Sequence, residues 1–591
     1  MDYLLFEIVA NELVKVSVQP VSVSDIYEKL EQPPNPELGD VAFPCFSLAK
    51  VLKKAPRVIA EDMRAQMVSQ AIFNDVKVSG GYLNFYLDRD RVLKLFFDKV
   101  KSGLPVDFSD YLGKKVTIEH TSVNPSASPH IGNARNAMIG DACVKLFKFL
   151  GCDVNVRYFV NDIGKQIALL VYCTRGISEI NFSELLNLYV DANEKISHNP
   201  ELEQEVFVLL KRMENGDEEI FAEFARIVDI CIKGQMEIFN EFGIYYDQYD
   251  YESQYVQSGK IEEILDALKD TGRLFEDEVE RLVLNLEEFK LNSEHPYLPL
   301  TRKNKTSLYP LRDICYNIDK AKDSPDRNIV ILGEDQRLYG RQINAALSLL
   351  GIKGTEIVNY SFVLLSEGKM SKRGGQVVLL EDLMYETVKS AKAAILEHRS
   401  ADNLEELLAD DILPKQLAYG AIKYSVLKCS NEKNVVFDRE AALNFQGDTS
   451  VYIQYSFARI QSLLRGKSLD VHGGLDAGEG VNINGGIWAD ESLSVSRDDI
   501  IQLTHPIEWE IVKKILSFNQ VLGVVSRDFN FSALCSYLFE LCQYFSRWYR
   551  ECPIKNAPEN LKPSRLFLAF VIGEIIKNGL GILGIDAPEK I

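Results

Sequence analysis

A chain of 591 residues, 46% hydrophobic and 26% charged, is too long for one core, suggests about four domains, and has an ordinary globular composition rather than a disordered one. No stretch approaches the ~20 consecutive apolar residues that span a bilayer, which argues against a membrane-spanning helix. The net charge of −20 argues against indiscriminate nucleic-acid binding. It still permits a local basic stripe, because phosphate is held by nearby cations and not by the whole-protein balance.

The opening MDYLLFEIVANELVKV has an acidic second residue and no basic region before an apolar core, so it does not read as a secretory signal. It reads as an amphipathic helix with Leu4, Leu5, Ile8, Val9 and Leu13 on one side. Residues 1–105 form a first unit, in which Gly80-Gly81 marks a turn before the strand YLNFYL. After the linker SGLPVDFSDYLGKK, the run KKVTIEHTSVNP reads as a short buried strand ending in a polar loop. A long helix, NARNAMIGDACVKLFKFLGCDV, follows, and then a second strand, VNVRYFV. Strand, loop, helix and strand open a parallel α/β sheet, expected over 106–365.

Charged helical stretches such as ELLNLYVDANEKIS and IEEILDALKDTG suggest an insertion in that sheet at about 170–300. RNIVILG and TEIVNYSFVLL then resume the buried β pattern, with the helix QINAALSLLG between them. A connecting segment at 366–410 leads to a strongly apolar helical region over 411–591. The Gly-rich stretch HGGLDAGEGVNINGG interrupts it and is expected to be mobile. There is no internal repeat. The ten cysteines are scattered without a CxxC pair or zinc-ligand spacing. Cys45, Cys143, Cys152, Cys173, Cys231 and Cys315 stand in apolar stretches, as reduced core residues of a cytoplasmic protein do, and no structural metal is expected.

Two short motifs carry chemistry. Pro129-His130-Ile131-Gly132-Asn133 stands between the first sheet strand and its helix. Free N–H groups at such a helix start suit phosphate, and an imidazole there can donate to a phosphoryl oxygen as charge builds on it. By itself the motif is equally a plain helix-start turn. Gly368-Lys369-Met370-Ser371-Lys372-Arg373-Gly374-Gly375 follows the last buried strand and places three cations between glycines, where they can close on a polyphosphate. By itself that motif is equally a solvated basic turn.

Together and in this order the two resemble the HIGH and KMSKS motifs of class I aminoacyl-tRNA synthetases. The likeness extends along the chain. IEHTSVNPSASPHIGNARNAMIGDA resembles the catalytic opening of arginyl-tRNA synthetases, and VRYFVNDIGKQ their segment after the second strand. Tyr309-Pro310-Leu311-Arg312-Asp313-Ile314 is similar to the family's Y-x-T-R-D motif, with Gln336 following in LGEDQ. FDREAALNFQGDTSVYIQYSFARIQSLL and the final LGIDAPEKI resemble its helical anticodon-binding domain, and GDVAFPCFSLAK its N-terminal domain, which touches the tRNA elbow. Asn133 stands where a second histidine is usual, Tyr339 where relatives often have a histidine, and Arg373 where many have a non-basic residue.

The resemblance implies a Rossmann-like catalytic domain with a helical insertion, an N-terminal α+β domain and a C-terminal all-helical anticodon-binding domain. It implies ligation of arginine to tRNA(Arg) at the expense of ATP with Mg²⁺, activation that requires bound tRNA, and a monomer. It carries catalysis onto His130, Lys369 and Lys372, and ATP binding onto His130, Gly132, Asn133, Lys369, Met370, Ser371, Lys372 and Arg373. It carries arginine recognition onto Glu119, Asn124, Tyr309, Asp313 and Gln336. A guanidinium offers five donors and a permanent charge, so carboxylates and carbonyl-type acceptors suit it. Asp313 lies one helical turn after Tyr309, so the carboxylate and the phenol can share a face. For Glu119 the alternative is a strand-end ion pair with a lysine.

In the tail, Tyr452, Tyr455, Phe457, Tyr544, Phe545, Trp548 and Tyr549 could stack unpaired bases, with Arg459, Arg465, Arg547 and Arg550 near phosphates. Most of these aromatics are expected in the core, leaving two or three for RNA. Within the class, a cysteinyl enzyme would need zinc ligands and a glutamyl enzyme a basic pocket. A tRNA-binding paralogue without activity and a small-molecule nucleotidyl ligase are the remaining rivals.

Overall fold

The fold is that of a computed structural model, which describes residues 4–16, 22–67, 72–103, 106–196, 199–291, 296–323, 326–365, 378–398, 411–465 and 495–591. The helix Leu4–Val16 buries Leu5, Phe6, Val9, Ala10 and Leu13. That stripe belongs to the same buried core as an antiparallel sheet of β1 (Val41–Pro44), β2 (Phe73–Ser79) and β3 (Tyr82–Leu87), with β3 in the middle. Gly80 turns β2 into β3 at φ +59°, a left-handed conformation that a side chain would strain.

A second sheet has five parallel strands, in the order Glu356–Tyr360, Arg327–Gly333, Lys115–Glu119, Asp153–Val160 and Gln248–Tyr251. They are β4 (Lys115–Glu119), β5 (Asp153–Val160), β6 (Gln248–Tyr251), β10 (Arg327–Gly333) and β11 (Glu356–Tyr360). The chain runs outward from β4 through β5 to β6, then restarts on the other side at β10. The carboxyl ends of β4 and β10 therefore border the crevice where ligands of such sheets bind. The central residues Val116, Ile118, Val156, Ile329 and Ile331 are fully or almost fully buried, as parallel strands covered on both faces require.

The segment expected as a charged helical insertion also supplies β6. QYDY at the sheet edge carries no apolar run, so it leaves no trace in a hydrophobicity pattern. A small antiparallel sheet of β7 (Leu274–Glu276), β8 (Leu282–Asn285) and β9 (Tyr297–Pro299) follows it. TEIVNYSFVLL is not one strand. It breaks after β11 and continues as β12 (Val363–Leu365), which pairs in parallel with β13 (Val435–Phe437). β13 corrects the expectation that the region after Asp411 is helical apart from its Gly-rich stretch: the β-branched Val435-Val436 pair extends beside β12 instead. Beyond it the regular elements among the described residues of the tail are helices, and Asp40 of the first unit accepts from Lys513 Nζ (3.0 Å) and Trp509 Nε1 (3.2 Å) of that tail.

Candidate active site

His130 caps the helix Ile131–Phe149 directly after β4 and its loop. Its Nδ1 accepts from the N–H of Gly132 (3.0 Å) and of Asn133 (3.3 Å), while Asn133 Oδ1 accepts from the His130 N–H (3.1 Å). The Ile131 N–H goes to the Val378 carbonyl (3.2 Å). The helix start therefore has no spare N–H for phosphate in its first three residues, contrary to the reading from sequence. The imidazole and a carbonyl satisfy those donors instead.

This arrangement fixes the tautomer. Two donors aimed at Nδ1 leave the ring proton on Nε2, and burial lowers the imidazole's pKa below its ordinary value, so the ring is a neutral donor through Nε2–H. Gly132 is needed for this fold-back, since a Cβ there would stand 2.9 Å from the ring. The Leu380 N–H donates to the Pro129 carbonyl (2.9 Å), so the far end of the basic loop is anchored beside His130, and β12 is its near end. Lys369, Met370, Ser371, Lys372 and Arg373 lie outside the described residues, as does HGGLDAGEGVNINGG.

The loop between β4 and His130 is held in an unusual shape. Thr121 and Ser122 have φ of +76° and +44°. The strain is held by Asn136 Oδ1, which accepts from the Thr121 N–H (2.6 Å), and by the Tyr158 hydroxyl, which accepts from the Val123 N–H (2.9 Å). Gln235, fully buried on the helix Glu218–Glu241, donates to the carbonyls of Asn124 (2.9 Å) and Ala127 (2.7 Å). The insertion's longest helix is thus part of the site's scaffold. Asn124 itself is exposed at the mouth.

Asp313 and Tyr309 do share a helix, Tyr309–Asp323, which is tied to the carboxyl end of β4 by Lys320 and Glu119. The Asp313 carboxylate accepts from the Tyr339 hydroxyl (2.7 Å) and from Asn317 Nδ2 (2.8 Å). Tyr309 is exposed, with its ring 5.1 Å from that of Tyr339. Glu119, at the end of β4, is ion-paired with Lys320, which is the alternative the sequence left open for it; the Lys320 ammonium is buried and lies 4.4 Å from the Tyr316 ring. Glu252 pairs with Arg312 at 2.5 Å, both buried. Gln336 ends the short turn after β10 and is exposed.

Glu119 and Glu252 are each paired with a cation, buried Asp162 also lies near Arg312 and Glu252, and among the described residues no cation lies within ion-pair distance of Asp313. Burial first, and then the Glu119 charge, push the Asp313 carboxyl up to about 6, against the pull of Lys320 and of the Tyr339 hydrogen bond. A buried carboxylate without a paired cation is suited to a guanidinium. Tyr339, Lys320 and Glu252 were not assigned to the pocket from sequence. The signal for Tyr339 was its departure from the usual histidine, which has a use here as the hydroxyl donor to Asp313.

In the tail, Phe545, Trp548 and Phe457 are buried and belong to the core. Tyr455 is exposed, and the Arg459 guanidinium lies 4.5 Å from the Tyr549 ring and 5.8 Å from that of Tyr455. Exposed Tyr455, with Arg459 and half-buried Tyr549, forms a cation–ring cluster at the surface of the tail.

Comparison with known proteins gives three family matches in chain order. Residues 4–87 match the arginyl tRNA synthetase N terminal domain, 106–439 the catalytic domain of tRNA synthetases class I (R), and 486–591 the DALR anticodon binding domain. The chain is 33% identical over 605 residues to the arginine–tRNA ligase of Methanococcus aeolicus, covering 99% of both chains. It is also 33% identical to that of Methanocaldococcus jannaschii, covering 99% of this chain and 98% of the relative. The fold is similar to that of Thermus thermophilus arginyl-tRNA synthetase, with a TM-score of 0.79, 24% identity and full coverage of both chains.

Proposed function

The chain belongs to the arginyl-tRNA synthetase family, and from that premise we propose that Asp313, with Tyr339 and Glu119, reads the guanidinium while His130 Nε2–H serves the phosphate. The protein is an arginine–tRNA ligase: it activates arginine with ATP and transfers it to its tRNA. The observation that carries the site reading is the Asp313 carboxylate, which accepts from Tyr339, lies near Glu119 at the end of β4, and has no cation within ion-pair distance among the described residues.

The chemistry needs little acid–base help. The α-carboxylate of arginine is already ionised and attacks the α-phosphorus of ATP; the bond to the bridging oxygen breaks and pyrophosphate leaves. Catalysis is then positioning plus charge stabilisation. His130 donates to the α-phosphoryl group, and Lys369, Lys372 and Arg373 hold the departing pyrophosphate. Met370, Ser371, Gly132 and Asn133 shape the same nucleotide site, Asn133 through the cap that aims His130. Asn124, Tyr309 and Gln336 border the amino-acid side. Magnesium arrives on the ATP phosphates as part of the substrate. In the second step a ribose hydroxyl of the terminal adenosine attacks the adenylate carbonyl, and AMP leaves. Exposed Tyr455 with Arg459 and Tyr549 offers a surface for an anticodon base. The ten free cysteines fit a reducing compartment such as the cytoplasm.

The pH dependence tests the pocket. Arginine needs the charged form of Asp313, which is lost as pH falls through about 6. KM for arginine is expected to be flat above that pH and to rise about tenfold per unit below it, while the KM for ATP follows no such course. An arginine KM that stays constant down to pH 5, in protein still folded by circular dichroism, would contradict the assignment.

A further inference from the structure

Arg135 lies one turn beyond His130 in the helix Ile131–Phe149 and is fully buried. Among the described residues it has no carboxylate within ion-pair distance. Its guanidinium instead donates to five backbone carbonyls. Nη1 reaches those of Ser361 (2.7 Å), Phe362 (3.2 Å) and Lys433 (2.8 Å), and Nη2 those of Ser430 (3.1 Å) and Asn431 (3.3 Å). Its Nε has no partner. A buried cation without an anion is a poor way to gain stability, since an apolar side chain of similar volume fills such a space at lower cost. What a guanidinium offers is a planar fan of donors that grips several acceptors in fixed directions.

The acceptors belong to two segments far from Arg135 in sequence. Ser361-Phe362 is the break between β11 and β12, where TEIVNYSFVLL leaves the catalytic sheet. The 430–433 turn joins the helix Ile412–Leu427 to β13, which pairs with β12. The two segments are also tied directly: the Ser361 N–H donates to the Asn431 carbonyl (2.8 Å) and Ser361 Oγ to that of Glu432 (2.9 Å). On its other side the turn reaches the tail, where Asn431 Nδ2 donates to the carbonyl of Phe529 (2.9 Å), the residue that ends the helix Phe518–Asp528. Hydrogen bonds thus link the C-terminal helices through Asn431 to Arg135, which sits in the helix that His130 caps.

We propose that Arg135 is a positioning residue through which docking of the tRNA anticodon arm on the C-terminal helices sets the placement of His130 and of β12. The inference rests on the site reading above, in which His130 serves the phosphate and the tail takes the anticodon. A displaced helix Phe518–Asp528 would move the 430–433 turn, and the turn would move the five carbonyls that hold Arg135. The helix start follows because Arg135 is rigidly part of it. Such a link changes kcat more than tRNA affinity, because it acts on geometry at the phosphate and not on a tRNA contact.

The test compares aminoacylation of the intact tRNA with that of a transcript whose anticodon bases are replaced, in the full-length enzyme and in Arg135→Gln and Asn431→Ala. In the unaltered enzyme the replaced anticodon is expected to lower kcat by about 5–150-fold, the usual range of coupling between sites. In Arg135→Gln, kcat with intact tRNA is expected to fall to near that lower value. Replacing the anticodon then changes it less than about threefold, and the dissociation constant for tRNA stays within about threefold. Asn431→Ala, which leaves the guanidinium and its carbonyls in place, gives the same uncoupling in weaker form and decides the matter if Arg135→Gln does not fold. An anticodon effect on kcat that is undiminished in both variants, or absent from the unaltered enzyme, would overturn the inference. Failure of the underlying reading would look different: His130→Asn would then leave kcat unaltered.

Discussion

Asp313→Asn is expected to reduce the enzyme's preference for arginine over citrulline from roughly 10⁴-fold to roughly 10²-fold in kcat/KM, chiefly by raising the KM for arginine. The two amino acids are nearly the same shape and differ mainly in one cationic nitrogen, so shape can do little to separate them. Charge can, because Asp313 is the carboxylate that the pocket leaves without a cation, and citrulline would leave it short of donors. Lysine fares poorly for another reason: a compact ammonium cannot fill a planar set of acceptors. The same substitution is expected to raise the thermal midpoint. A carboxyl held at about 6 in the folded protein, against 3.8 in the reference state, binds its proton more tightly when folded. Stability is therefore lost as pH rises between those two values, and an amide removes that loss. An unchanged arginine-to-citrulline ratio would mean that Asp313 does not face the guanidinium.

His130→Asn is expected to lower kcat for adenylate formation by roughly 10²–10³-fold, the usual cost of removing a donor aimed at developing charge. Asparagine is among the best helix N-caps, so the variant keeps the acceptor for the Gly132 and Asn133 N–H groups and loses only the Nε2–H. Its thermal midpoint should stay close to that of the parent, which separates the phosphate role from the cap. His130→Ala loses both. Asn133→Ala loses one reciprocal hydrogen bond, to the His130 N–H, and should cost about 1 kcal/mol of stability and less than about tenfold in rate. Single-turnover adenylate formation in the three variants distinguishes these outcomes. Equal, negligible effects would favour a tRNA-binding protein without activity.

The fold class was legible because its signals are local. The buried strand KKVTIE, the helix after His130 and the runs VNVRYFV and RNIVILG each carry a pattern that burial on both sheet faces imposes. β6 was not legible, since an edge strand with the sequence QYDY needs no apolar run. β13 was hidden inside a helical region because only its pairing with β12 makes it a strand. In the site, the spacing of Tyr309 and Asp313 on one helix could be read from sequence. The partners of the pocket could not. Lys320 reaches Glu119 from 201 residues away, Arg312 reaches Glu252 from 60, and Tyr339 reaches Asp313 from 26. The free N–H groups expected at the helix start were absent for a related reason. The Val378 carbonyl that takes one of them comes from beyond the basic loop, and the imidazole folds back to take two more.

Amino-acid-dependent exchange of pyrophosphate with ATP, run with each of the twenty amino acids and with and without tRNA, tests the central claim most directly. Exchange is expected with arginine and with no other amino acid, and only when tRNA is bound. Exchange driven by glutamate or cysteine, or none with arginine and tRNA together, would contradict it.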